Sequence, residues 1–167
     1  MEVSSGNGQA GGQLTATVRA AARADLPALV EFNLAMAWET ERKRLDPALL
    51  TRGVAALFEQ PQRGRYLVAD RAGRVQGALL LTYEWSDWRN GDWWWIQSVY
   101  VRTEARSQGV FSALYRHVEQ QARASAGVVG LRLYVERDNR RAQATYRRLG
   151  MEESDYRMYE HGFTDPG

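Results

Sequence analysis

The residues best suited to chemistry lie between Ile96 and Arg123. Ile96-Gln97-Ser98-Val99-Tyr100-Val101 is rich in apolar and β-branched residues and reads as a half-buried strand. A polar loop, Arg102 to Gln108, follows, and from Gly109 onward Val110, Leu114 and Val118 recur at helical spacing. The order is strand, basic loop, helix. Such a junction presents the first turn of a helix, with its unpaired N–H groups and positive dipole end, to whatever lies before it. That end binds anions. Arg106 adds a fixed charge, and Gly109, without a side chain, lets a phosphate approach the backbone. The implied chemistry is a pyrophosphate seat. An ordinary strand–loop–helix junction containing Arg and Gly explains the same residues, so a second motif has to decide.

The elements that must position this stretch follow from the pattern on either side. Thr17 to Ala21 reads as a short strand, and Asp25 with Pro27 opens a helix whose stripe is Leu26, Leu29, Val30, Leu34, Ala37 and Trp38. The charged run Glu39 to Arg44 interrupts that stripe. Asp46-Pro47 starts a second helix, carried by Leu49, Leu50, Val54, Leu57 and Phe58 to Pro61. Arg65 to Asp70 and Val75 to Tyr83 flank Ala72-Gly73 as a hairpin, and a polar turn from Trp85 to Asp92, centred on Asn90-Gly91, leads Trp93-Trp94-Trp95 into the strand at Ile96. Beyond the central helix, Gly127 ends the pattern and Val128 to Val135 forms another strand. Asp138-Asn139 caps a helix with Ala142, Thr145, Tyr146 and Leu149 on one face, closed by Gly150. Tyr156, Met158 and His161 have the alternation of a final strand.

Composition narrows the function classes. The 167 residues fit one domain spanning 16–163, after a Gly- and Ser-rich stretch, 1–15, that reads as a disordered tail with neither signal peptide nor membrane span. No cysteine is present, which excludes disulfides, thiolate metal sites and a cysteine nucleophile; with only two histidines no metal is expected. The net charge of +2 favours local anion binding over a nucleic-acid surface. The expectation is a soluble, cytoplasmic protein with no nucleic-acid or membrane partner.

Two motifs carry a family resemblance. Val99-Tyr100-Val101-Arg102-Thr103-Glu104-Ala105-Arg106-Ser107-Gln108-Gly109-Val110-Phe111 resembles the acyl-CoA loop of the GCN5-related N-acetyltransferase (GNAT) superfamily, an Arg/Gln-x-x-Gly-x-Gly/Ala sequence after a strand. Asn139 to Met151 is similar to that family's Asn-x-x-Ala-x-x-x-Tyr-x-x-x-Gly-Phe signature. The element order agrees with it as well. The resemblance implies an α/β GNAT fold: a mixed, mostly antiparallel central sheet flanked by helices and splayed between the fourth and fifth strands. One departure is Phe111, where the family has Gly or Ala; an aromatic there would clash with a pyrophosphate unless it turned into the core beside Leu114.

What the resemblance implies for the site can be stated residue by residue. The backbone of Val99 and Val101 would pair with pantetheine amides, the cofactor arm lying in the splay as a false strand. Backbone amides of Ser107, Gln108, Gly109, Val110, Phe111 and Ser112, together with Arg106, would hold the pyrophosphate. Asn139 would hydrogen-bond the pantetheine, and Tyr146 would lie near the thioester sulfur. Arg140, Arg141, Arg147 and Arg148 either reach the adenosine phosphates or form a solvated face.

Acyl transfer to an amine needs a free nucleophile, a donor for the developing oxyanion and a proton for the departing thiolate. Tyr146 is the candidate proton donor; as an alternative its ring is ordinary core. A backbone N–H of Val99 or Tyr100 is the natural oxyanion donor. Glu84 and Glu41 are candidate bases and Ser98 a candidate relay through water, although each residue also fits a solvated surface and a dedicated base need not exist. Trp38, Trp85 and Trp88 fit an acceptor pocket for an apolar or cationic group, or equally a homodimer interface, and Asp87 and Asp92 fit recognition of a cationic amine or a solvated loop. The function expected is transfer of an acetyl group from acetyl-CoA to a primary amine of a small molecule or protein, by direct attack in a ternary complex. The alternatives are another acyl group or acceptor, and a non-catalytic acyl-CoA sensor or interaction module of the same fold.

Overall fold

Strand pairing follows the alternation of the sequence. The structure, a computed structural model, describes residues 16–163; the stretch expected to be a tail, 1–15, lies outside the described residues. The elements run β1 (Thr17–Ala20), α1 (Leu26–Glu41), α2 (Pro47–Glu59), β2 (Gly64–Arg71), β3 (Arg74–Ser86), β4 (Gly91–Val101), α3 (Val110–Ala124), β5 (Val128–Arg132) and α4 (Arg140–Arg148). The sheet has the order β1-β2-β3-β4-β5. Its first pairings are antiparallel and the last, β4 with β5, is parallel, as a strand–helix–strand crossover through α3 requires.

Each face of the sheet carries its own core. Leu67, Ala69, Leu79, Leu81, Trp94 and Ile96 point toward α3 and meet Val110, Leu114, Tyr115 and Val118. The intervening residues Tyr66, Val68 and Ala78 point to the other side and meet Leu29, Phe32 and Val54 of α1 and α2. A period of two on the strands thus feeds two helical layers. Asp25, at the start of α1, is bonded by both guanidinium nitrogens of Arg19 at 2.7 and 3.0 Å and also accepts from the backbone of Ala22, tying β1 to the helix entry. Asp46 caps α2 by accepting from Ala48 N at 2.8 Å.

Several boundaries differ from the sequence reading. Helix α1 continues through Glu39 to Glu41, because Arg42 adopts a left-handed conformation and its N–H, with that of Lys43, closes the last turn on Trp38 and Ala37. The hairpin turn shrinks to Asp87–Asn90, with Ser86 paired opposite Gly91. Strand β5 stops at Arg132, where its pairing with β4 ends. The expected final strand is absent among the described residues: Tyr156 and Met158 are exposed, and the chain after α4 leaves the free edge of β5 unpaired. No helix among the described residues is long and apolar enough to cross a membrane.

The β4–β5 contact is close at one point. A Cβ built on Gly130 would stand 2.4 Å from the Trp93 ring, so the indole lies flat where only glycine leaves room. Trp93 is also covered by Arg132, whose guanidinium carbon is 4.1 Å from the ring centroid. Gly130→Ala should therefore force the indole outward and lower stability by about 1–3 kcal/mol, measured as a lower urea midpoint at unchanged slope; an unchanged midpoint would show that the ring yields freely.

Candidate active site

The site originates in one extra residue on β4. Leu80 pairs with Gln97 and Ala78 with Tyr100, so Leu79 alone on β3 stands opposite both Ser98 and Val99 on β4. This is a β-bulge, which leaves residues without ladder partners and bends the strand. Ser98 absorbs the bend with φ at +48°. On its other edge β4 pairs with β5 only as far as Trp95 opposite Arg132. The strands splay beyond that point, and the edge from Val99 to Val101 faces a cleft of about 750 Å³.

Other elements complete the walls. Gly109, at φ +78°, turns the chain into α3 in a conformation that side-chain-bearing residues rarely adopt, and no atom lies near where its Cβ would be. The first turn of α3 thereby lies open to the cleft, which Val110, Phe111 and Ser112 line. Asn139 caps α4 by accepting from Ala142 N at 3.1 Å, which leaves its amide N–H groups unused by the cap. Helix α4 contributes Ala142, Thr145 and Tyr146, and α1 contributes Met36, Glu39 and Thr40. Arg106, Arg141 and Arg148 line the cleft against one carboxylate, Glu39. Positive charge prevails, as a polyphosphate site requires.

Most of the residues singled out in the sequence meet here. Val99, Tyr100, Val101, Arg106, Ser107, Gly109, Val110, Phe111, Ser112, Asn139 and Tyr146 all line the cleft. Gln108 does not; its amide donates to the Glu104 carbonyl at 2.7 Å and accepts from Arg71 at 2.9 Å. Ser98 is not among the residues lining the cleft; its side chain bonds the hydroxyl of buried Tyr66. Glu84 is held by Arg132 at 2.7 Å and by the Trp95 indole, outside the cleft. Glu41 pairs with Lys43 at 2.6 Å and lies outside as well. Neither expected base is among the residues lining the cleft.

Arg106 and the aromatic residues also depart from expectation. The Arg106 guanidinium turns toward α1: Nη2 donates to Glu39 at 2.6 Å and Nε to the Val101 carbonyl at 3.0 Å. Arg141 takes the place beside the loop, donating to Ser107 Oγ at 2.6 Å. Phe111 is half-buried against the α3 core and touches Tyr115 and Tyr146, with centroids 6.2 and 5.6 Å away. It leaves the seat open and props the Tyr146 ring edge-on. Trp38, Trp85 and Trp88 are exposed outside the cleft, Trp38 lying beside Arg42 and Arg44. Asp87 serves the hairpin turn, accepting from Trp88 N at 2.8 Å.

Glu39 was missed in the sequence. Its only local signal is helical spacing from Met36, and its partners Tyr100 and Arg106 are far away in the chain.

A sequence model of the acetyltransferase (GNAT) family matches residues 30–151. The chain belongs to this family. Among solved structures, one described as a possible acetyltransferase from Clostridium difficile 630 is 43% identical, with a TM-score of 0.84 over 90% of this chain and 99% of that one. An integron cassette protein from the mobile metagenome of Cole Harbour Salt Marsh is 26% identical, with a TM-score of 0.77 over 89% and 91%. Glucosamine-6-phosphate N-acetyltransferase from Arabidopsis thaliana shares the fold at 15% identity, with a TM-score of 0.68 over 88% and 98%. No curated protein matches the sequence.

Within this GNAT cleft Tyr146 is electrostatically distinctive. Burial pushes its phenol above the usual tyrosine range, and no hydrogen bond to another described residue offsets that effect. The group therefore stays protonated at neutral pH with its hydrogen uncommitted. Removing a hydroxyl that bonds nothing costs little, so Tyr146→Phe should change unfolding free energy by less than about 0.5 kcal/mol. A loss of about 1–2 kcal/mol in a denaturant titration would mean that the hydroxyl has a structural partner.

Proposed function

We propose that the protein transfers an acetyl group from acetyl-CoA to a primary amine of a small molecule or protein, by direct attack in a ternary complex. The observation that carries this reading is the convergence of a bulged strand edge, an open helix N-terminus and an uncommitted phenol on one cleft. The residues present fit the cofactor. The β4 edge at Val99 and Val101 offers backbone groups to the pantetheine amides, as an added strand would use them. Amides at the start of α3, with Arg141 beside Ser107, suit the pyrophosphate. The free amide N–H groups of Asn139 are available to the pantetheine.

The chemistry then divides among these groups. The amine nitrogen, already without its proton, attacks the thioester carbonyl carbon and a C–N bond forms. Negative charge gathers on the carbonyl oxygen, where the Val99 N–H at the bulge is the donor, since Tyr100 is paired with Ala78 of β3. When the C–S bond breaks, the departing thiolate takes the Tyr146 proton; the extra proton on the product nitrogen passes to solvent, and the phenolate recovers a proton from solvent before the next turnover. The Tyr146 phenol is protonated at neutral pH, and it makes no hydrogen bond to another described residue that would have to break before it donates. No residue needs to form a covalent intermediate.

Titration of the protein with acetyl-CoA by calorimetry, coupled to thiol release with a panel of primary amines, tests the reading. Stoichiometric binding with amine-dependent release supports it, and binding without release to any amine would favour an acyl-CoA-binding module instead. Tyr146→Phe should lower kcat by about tenfold or more while acetyl-CoA affinity stays within twofold; equal turnover would remove Tyr146 from the chemistry. Gly109→Val, which places a branched side chain at a positive φ in front of the helix end, should abolish detectable acetyl-CoA binding, and unchanged affinity would remove the phosphate seat.

A further inference from the structure

The cleft holds a carboxylate among its arginines. Glu39 is the only carboxylate among the described residues that line it, and it sits in the last turn of α1. Tyr100 Oη donates to it at 2.9 Å and Arg106 Nη2 at 2.6 Å. Arg106 is held on this side by its bond to the Val101 carbonyl and by the Tyr100 ring, whose centroid is 5.4 Å from the guanidinium carbon. The loop arginine nearest a phosphate seat is therefore engaged with a carboxylate rather than directed to the seat. The pair is half-exposed, with side-chain exposures of 36% and 39%, and such pairs are weak enough for a multiply charged phosphate to displace the carboxylate.

Removing Arg106 from this arrangement leaves a negative carboxylate, still oriented by Tyr100, on the wall of the cleft that α1 provides. We propose that Glu39 is the acceptor-recognition residue of this enzyme: it binds positive charge on the acceptor, and it is freed to do so when acyl-CoA phosphates draw Arg106 away. The proposal rests on the acyl-CoA reading above and deepens it by naming the acceptor class, an amine that carries a further cationic group. Burial of the Tyr100 phenol and the adjacent Glu39 both push its pKa upward, so it remains a donor to the carboxylate throughout. Linkage makes the effect reciprocal: whatever loosens the Glu39–Arg106 pair favours the cofactor and the cationic acceptor together. A neutral acceptor gains nothing from Glu39.

The test compares wild type with Glu39→Gln, which keeps the size of the side chain and an oxygen to accept from Tyr100. Two probes of equal backbone length, 1,4-diaminobutane and n-butylamine, separate recognition of a second ammonium from recognition of the amine itself. Wild type should favour the diamine by tenfold or more in kcat/KM, and Glu39→Gln should lose that preference. The variant should also bind acetyl-CoA severalfold more tightly by calorimetry, because Arg106 is no longer held. An equal preference for the diamine in both proteins, or weaker acetyl-CoA binding by the variant, would overturn the proposal; the second result would mean that Glu39 braces Arg106 for the phosphate. If wild type binds acetyl-CoA but acetylates neither probe, the assignment to amines with a second cationic group fails, and the acetyl-CoA comparison still judges whether Glu39 restrains Arg106.

Discussion

One residue more on β4 than on β3 governs the active end of this molecule. A uniform ladder would keep β4 straight and in reach of β5 along its whole length; the bulge at Ser98–Val99 bends it away after Trp95. The separated edge cannot be left dry and unpaired, since buried backbone groups without partners are costly. It opens instead onto a cleft in which an extended, amide-bearing ligand can complete the ladder. Ser98 occupies the bulge in the left-handed region, at φ +48°, without the conformational freedom of glycine. Strain of this kind persists where the surrounding structure determines it, here two packed cores on either face of the sheet.

The same elements set the charge of the cleft. The loop from β4 leads into α3, where Arg141 donates to Ser107, and the last turn of α1 brings in Glu39. Arg106 is bonded to that carboxylate. Tyr146 adds a phenol without a hydrogen bond to another described residue.

Much of this was legible in the sequence, for identifiable reasons. The apolar run Tyr66-Leu67-Val68-Ala69 between polar residues is legible as a strand, while its division between the α3 and α1 layers is set by packing. Gly109 before a helical stripe, and Asn139 before Ala142, are local signals that act over a few residues and were read correctly as turn and cap. What the sequence withheld is long-range. Nothing near Glu39 announces that Tyr100 and Arg106 will meet it, and nothing near Glu84 announces that Arg132 will claim it. The reach of α1 through Glu41 depends on a left-handed Arg42, which no propensity favours. The absent final strand is a similar case: alternation at Tyr156 and Met158 does not decide whether the chain docks on the free edge of β5, and both side chains stay exposed.

Amide hydrogen exchange, with and without bound acetyl-CoA, tests the central claim that the bulged edge of β4 is the cofactor's platform. The account predicts slowed exchange concentrated at 99–101 and at 107–112, with little change along the β2–β3 pairing on the far side of the sheet. Saturating acetyl-CoA that left exchange at 99–101 unaltered would contradict it.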